Sequence, residues 1–289
     1  MIESALSPAV WVHRSSAAER RKVILAAGLL LLLVLLALLA PLFAPFDPSA
    51  QPDILRMRGQ SPSLAHPFGT DHFSRDILSR VIFGARISLS VAFLATAISI
   101  TLGTAYGALS GYAGGLVDSV MMRLLDAFLA IPRLLLVLAI VAVWRTLPVT
   151  GLILVLGLTG WFMLSRIVRG QVLALKERDF VMSAEALGAT KFRILWRHIL
   201  PNLVSPVLVA AALGIGQVIA LEAGLSYLGI GVQQPAASWG NIIQDGAEQI
   251  GSMWWISLFP GLALVLTVMC FNILAEYARE RFAGPTDTR

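Results

Sequence analysis

Six stretches of this chain, 23–46, 87–109, 124–144, 146–165, 203–221 and 253–274, are almost wholly apolar, and polar or basic segments separate them. A helix crossing a bilayer needs about 20 apolar residues, so the pattern predicts six membrane-spanning helices. Ile77, Leu78, Val81 and Ile82 recur at helical spacing beside Arg75, Asp76, Arg80 and Arg86, which predicts a short interfacial helix before the second span. The third stretch carries Arg133 directly after Pro132, and Pro206 lies early in the fifth. Segment 176–202 has a different periodicity. Phe180, Ala184 and Leu187 follow an i, i+4, i+7 pattern, and Phe192, Leu195, Trp196 and Ile199 follow i, i+3, i+4, i+7, with Gly188 between them. Each piece is too short to span, so the segment reads as a hairpin of two amphipathic helices outside the bilayer.

Composition places the chain among membrane proteins. Its 289 residues are 57% hydrophobic and 13% charged, with mean hydropathy +0.79, whereas soluble domains run to about 25% charged. The formal charge of +5 does not point to nucleic acid, because the basic residues gather in connecting segments, as the positive-inside rule requires. Segment 1–22 and the run Arg166, Arg169, Lys176, Arg178 are therefore expected inside, with both termini cytoplasmic. This divides the chain into a cytoplasmic segment 1–22, a first span 23–46, an external loop with interfacial helix 47–86, a five-helix core 87–275 and a cytoplasmic tail 276–289. Around 56–86 the arginines at 56, 58, 75, 80 and 86 are offset only partly by the aspartates at 53, 71 and 76, against that bias. A signal peptide shares the basic flank of the first run, but its apolar core is only about 7–15 residues. Trp254 and Trp255 at the start of the last run suit an aromatic anchor at the interface.

Chemistry for catalysis is scarce. The sequence has no GxxxxGK[ST] phosphate loop, HExxH or CxxC, and its single cysteine, Cys270, lies in an apolar run. Gly224-Leu225-Ser226 is a weak match to a Gly-x-Ser nucleophile, but His13, His66, His72 and His198 all fall in polar segments, away from any base position on a neighbouring span. Two groups stand out as candidates for a solute pathway, because ionisable residues within spans are costly. Arg133 could meet a solute carboxylate or backbone carbonyls, or it could snorkel or pair with Asp126. Glu222, near the end of the fifth span, could receive an amino group or make a structural hydrogen bond.

Segment 176–202 carries a resemblance. Gly188-Ala189, followed by Leu200-Pro201-Asn202 in a loop before a span, is similar to the EAA loop of ABC importer permeases, whose Glu-Ala-Ala positions fall here on Met182, Ser183 and Ala184. Two further stretches resemble the dipeptide/oligopeptide permeases of the DppC/OppC kind. One is His66-Pro67-Phe68-Gly69-Thr70-Asp71 with Ser74 to Arg80 and Gly84 to Leu89. The other is Gly224 to Gly229 with Pro235, Trp239-Gly240 and Pro260-Gly261. The resemblance implies an all-α polytopic protein with a type I ABC importer permease core in a prokaryotic inner membrane. It also implies a homologous second permease, two ATPase subunits that hold ATP and magnesium, and an extracytoplasmic solute-binding protein as partners. This chain itself would take no cofactor and would not hydrolyse ATP.

The ATPase-coupling residues it implies are Phe180, Met182, Ala184, Leu187, Gly188, Ala189, Phe192, Leu195 and Pro201, with Gly188 as the bend and Pro201 starting the next span. With methionine at 182, the grip should be apolar rather than a charge pair. The expected solutes are di- or oligopeptides, with glutathione or nickel chelates as alternatives. An ion-coupled secondary transporter would instead need several embedded carboxylates, and the spans offer little beyond Glu222.

Overall fold

The computed structural model describes residues 17–144 and 147–282, and these are helical apart from loops and one isolated antiparallel bridge between Thr70 and Asp76. Most of 1–22, the expected start of the fourth span at Thr146 and the end of the tail lie outside the described residues.

The helices are α1 (Ala17–Leu38), α2 (Ala40–Phe43), α3 (Ile54–Met57), α4 (Ile77–Ala113), α5 (Gly115–Leu129), α6 (Arg133–Ala142), α7 (Val149–Lys176), α8 (Asp179–Ala186), α9 (Lys191–Ile194), α10 (Leu200–Tyr227), α11 (Trp239–Ala247) and α12 (Trp255–Phe282). Five helical stretches among the described residues are long and apolar enough to cross a membrane, or six if the bent pair α5–α6 is one span.

Four boundaries differ from the sequence reading, each for a local reason. The first helix already includes Ala17 to Lys22, inside the charged segment, and stops at Leu38 because Pro41 starts the separate turn of α2. The expected interfacial helix is the first turns of α4, a 37-residue helix about 55 Å long at 1.5 Å per residue. Asp76 caps it by accepting from the Ser79 N–H at 2.8 Å. The stretch expected as the third span is two helices, α5 and α6, that meet at 75°. Pro132 has no N–H to continue α5 and holds the residue before it away from helical angles.

The fourth difference is at Pro201, which does not start a span. The helix is continuous from α9 into α10 through a wide turn at Leu195–Ile199, where the Leu200 N–H reaches back to the Leu195 carbonyl. The widened turn leaves the carbonyl of residue 197 clear of the proline ring, which would otherwise collide with it.

The bundle is built around α4 and α7, which run in the same direction. Gly103, Gly107 and Gly111 form a stripe on α4, and a Cβ at Gly107 would lie 2.4 Å from the Ser165 carbonyl oxygen. This backbone approach is the small-residue packing that holds helices together in lipid. Gly107→Ala is expected to force the two helices apart at a cost of about 1–3 kcal/mol. The melting temperature of purified protein in detergent measures this, and Gly28→Ala, with nothing within 4 Å, serves as the control. Helix α10 packs antiparallel to α12, and α1 lies outside them with only Ala26 and Ala37 buried.

The two ends of the bundle differ. Segment 177–199 lies at one end, together with the start of α1 and the end of α12. At the other, segments 47–76 and 228–254 fold together as a cap over the ends of α4 and α10. Trp239 is fully buried there and donates through Nε1 to the Val81 carbonyl at 3.1 Å. Trp255 is also buried and donates to the Thr70 carbonyl at 3.0 Å, so it packs the cap and does not anchor at the interface. Trp254, 47% exposed, is free to do so.

Candidate functional site

The loop at 177–199 presents an apolar crest on a fixed base. Three side chains, Val181, Ile194 and Ile199, are buried against Ala108, Val168 and Val172 of the bundle. Ala184, Ala189 and Leu195 pack partly against the same cluster. Phe180 (42%), Met182 (50%), Leu187 (89%), Phe192 (70%) and Trp196 (58%) stay exposed, as does Pro201. Between the two helical pieces the backbone turns at Gly188, whose φ is +78°. A side chain with a Cβ enters that conformation only with strain, and Thr190 caps α9 by accepting from the Arg193 N–H. Five large exposed hydrophobics on a rigid hairpin form a surface patch of the kind that marks a protein contact.

A polar latch ties the root of this loop to the neighbouring helices. Arg169, on the last turns of α7, makes two bonds to Asp118 of α5, from Nε to Oδ1 at 2.6 Å and from Nη2 to Oδ2 at 2.5 Å. Asp118 also accepts from Ser110 of α4. Lys176 donates to the Tyr112 carbonyl at 3.1 Å, and its ammonium lies 5.5 Å from the Tyr112 ring centroid. A bidentate guanidinium–carboxylate pair fixes direction as well as distance, so movement of the loop root must be shared with the α4–α5 turn. The periodicity reading did not single out Asp118, although an aspartate on a helix that precedes an arginine-bearing one was a usable signal.

The two pathway candidates are far apart in character. Arg133 starts α6 and is half-buried; its Nη2 donates to the Leu156 carbonyl of α7 at 3.0 Å. Asp126, the partner considered for it, is held by Arg166 instead. Glu222 is fully buried. Its carboxylate accepts from Ser88 Oγ of α4 at 2.9 Å and from Ser226 Oγ of α10 at 2.7 Å, and Ser226 Oγ in turn accepts from the Val232 N–H of the cap. The carboxylate is therefore engaged in joining two helices to the cap and is closed to a passing solute.

Two of the arginines that looked unbalanced, Arg75 and Arg80, form the core of the cap. Asp71 accepts from the Phe73 and Arg75 N–H groups, from Arg75 Nε at 2.6 Å and from Arg80 Nη1 at 2.7 Å. Asp245, on α11, accepts from Arg75 Nη2 and Arg80 Nη1, each at 2.9 Å. Arg75 also donates to the Gln234 side chain at 3.2 Å. This two-by-two set of charges joins segments roughly 160–170 residues apart, which explains why sequence spacing could not show it.

Comparison with known proteins gives a consistent result. The family of binding-protein-dependent transport system inner membrane components matches residues 103–284, and the N-terminal transmembrane domain of oligopeptide transport permease C matches 20–65. The chain is 38% identical over 250 residues to the dipeptide transport system permease protein DppC of Alkalihalophilus pseudofirmus, covering 85% of this chain and 80% of that one. It is also 38% identical over 247 residues to the oligopeptide transport system permease protein OppC of Bacillus subtilis, covering 85% and 79%. Among solved structures, an inward-facing form of the MetNI methionine ABC transporter superposes with a TM-score of 0.58 at 17% identity, covering 72% of this chain and 98% of that chain. At that identity the likeness establishes a shared fold.

Proposed function

The chain belongs to the family of binding-protein-dependent transport system inner membrane components, and from that premise we propose that it forms one half of the pathway of an ATP-driven peptide importer. Several relatives are named for dipeptide or oligopeptide transport, and peptides are the substrate class we assign. The chain is a multi-pass membrane protein, and we place its loop end in the cytoplasm. Arg166, Arg169, Lys176, Arg178, Lys191, Arg193 and Arg197 crowd that end, as the positive-inside rule favours. The other half of the path would be a homologous permease. Two ATPase subunits would carry ATP, magnesium and hydrolysis, and a binding protein would deliver the solute to the cap.

The observation that carries this reading is the crest of Phe180, Met182, Leu187, Phe192 and Trp196. It is held out from the bundle by a buried base and is rooted through the Arg169–Asp118 latch. An ATPase that closes on nucleotide would move the crest, and the latch would pass that motion to α4, α5 and α7, switching access as rigid bodies.

Reconstitution into vesicles tests the reading. With the second permease, both ATPase subunits and the binding protein present, dipeptide uptake is expected to need ATP; without the ATPase subunits it should fall to background. Uptake by the chain without ATPase subunits would overturn the importer reading. Competition by glutathione or a nickel chelate stronger than by peptides would reassign the substrate.

A further inference from the structure

A cleft of about 150 Å³ opens between α4, α6, α7 and α10, on the face where Met163 and Gln217 are exposed. Its lining includes Arg133, Thr96, Ser99, Gly160 and Gln217 and contains no aspartate or glutamate. Two buried groups there have no hydrogen-bond partner among the described residues, Arg133 Nε and Thr96 Oγ1. Thr96 is only 4% exposed. Threonines in helices commonly bond back to a carbonyl one turn earlier, as Thr101 and Thr159 do here, whereas Thr96 keeps its hydroxyl free.

The place is shaped around the guanidinium. Ser99 Oγ donates to the Gly157 carbonyl at 2.8 Å, while Arg133 Nη2 is tethered to the Leu156 carbonyl. A Cβ on Gly160 would lie 2.3 Å from Ser99 Oγ and 2.9 Å from Arg133 Nη2, so only glycine there admits both. Leu156 lies about 10 Å along α7 from its start at 1.5 Å per residue, inside the apolar part of the bundle. An arginine at such depth with no counter-charge is costly, and its free N–H groups and the Thr96 hydroxyl are the complement of a planar anion.

We propose that this cleft is a subsite for the carboxylate of the transported solute. The Arg133 guanidinium would bind the C-terminal carboxylate of a peptide during passage, with Thr96 donating to the same group and the Gln217 amide at the rim. The proposal rests on the peptide-importer reading and adds the group that the path recognises.

Uptake of dialanine and of its C-terminal amide by vesicles holding the full complex tests it. Each peptide is supplied at a level shown by calorimetry to saturate the binding protein, so that selection there drops out. The intact complex is expected to favour the free acid about tenfold, and Arg133→Gln should lower dialanine uptake by about that factor while leaving the amide unchanged. Thr96→Val, which keeps the volume and removes the donor, should shift the ratio the same way by about threefold. Co-purification with the other subunits should not change in either variant.

Equal loss for both peptides, or loss of assembly in Arg133→Gln with an unchanged ratio in Thr96→Val, would overturn the subsite and leave Arg133 a structural role. Uptake without discrimination by the intact complex would overturn the subsite alone. Uptake of neither peptide would overturn the peptide reading together with it.

Discussion

Leu187→Asp is expected to abolish coupling to the ATPase subunits while leaving the protein folded and inserted. Leu187 is the most exposed of the crest residues at 89%, so its replacement costs the isolated chain almost nothing. In a docked complex the new carboxylate would be buried in an apolar groove without a partner. Interface residues of this kind typically contribute about 2–4 kcal/mol, which corresponds to about 30- to 1,000-fold in affinity. Co-purification of the ATPase subunits should be lost and ATP-driven uptake should fall to background, with detergent melting unchanged. Leu187→Ala should give an intermediate loss, because it removes contact without adding charge. Gly188→Pro should fail differently, since proline holds φ near −65° where the turn needs +78°. If the ATPase subunits still co-purify with Leu187→Asp, the crest is not the contact.

Arg80→Met is expected to be among the most destabilising single changes in the cap. Arg80 is 1% exposed and shares Asp71 and Asp245 with Arg75. Removing it leaves two carboxylates facing one guanidinium in a buried setting. Breaking a buried charge set from one side costs about 3–5 kcal/mol, which would lower the melting temperature by roughly 10 °C on the scale of soluble proteins of similar size. The exposed pair Arg56–Asp53, 3.9 Å apart with side chains 89% and 42% exposed, provides the contrast. Arg56→Ala should change stability by no more than about 0.5 kcal/mol, as surface pairs do. Adding Asp245→Asn to Arg80→Met should restore part of the loss, because the charge count is again balanced. No recovery in the double variant would mean that Arg80 acts through packing alone.

The spans and the two-piece hairpin around Gly188 were legible in the residues because each depends on neighbours a few positions away. Long charge-free runs can only be satisfied as helices in lipid, and Phe180, Leu187, Phe192 and Trp196 announced two short amphipathic pieces around Gly188. The boundaries were less legible. Pro132 was visible, yet whether a proline kinks a helix or breaks it at 75° depends on what packs against the two halves. Pro201 looked like a start signal, but a wide turn at Leu195–Ile199 absorbs it within a continuous helix.

Composition and periodicity by themselves determined the class of the protein, its apolar spans and the loop that turns at Gly188. These follow from what a bilayer and a backbone permit locally. Tertiary structure alone decided that Glu222 joins α4 to the cap, that Arg75 and Arg80 pair with Asp71 and Asp245, and that Arg133 and Thr96 share a cleft without an acid. Those outcomes depend on groups brought together from distant parts of the chain. The energy of a charge is set by its surroundings, and those surroundings exist only once the helices have packed.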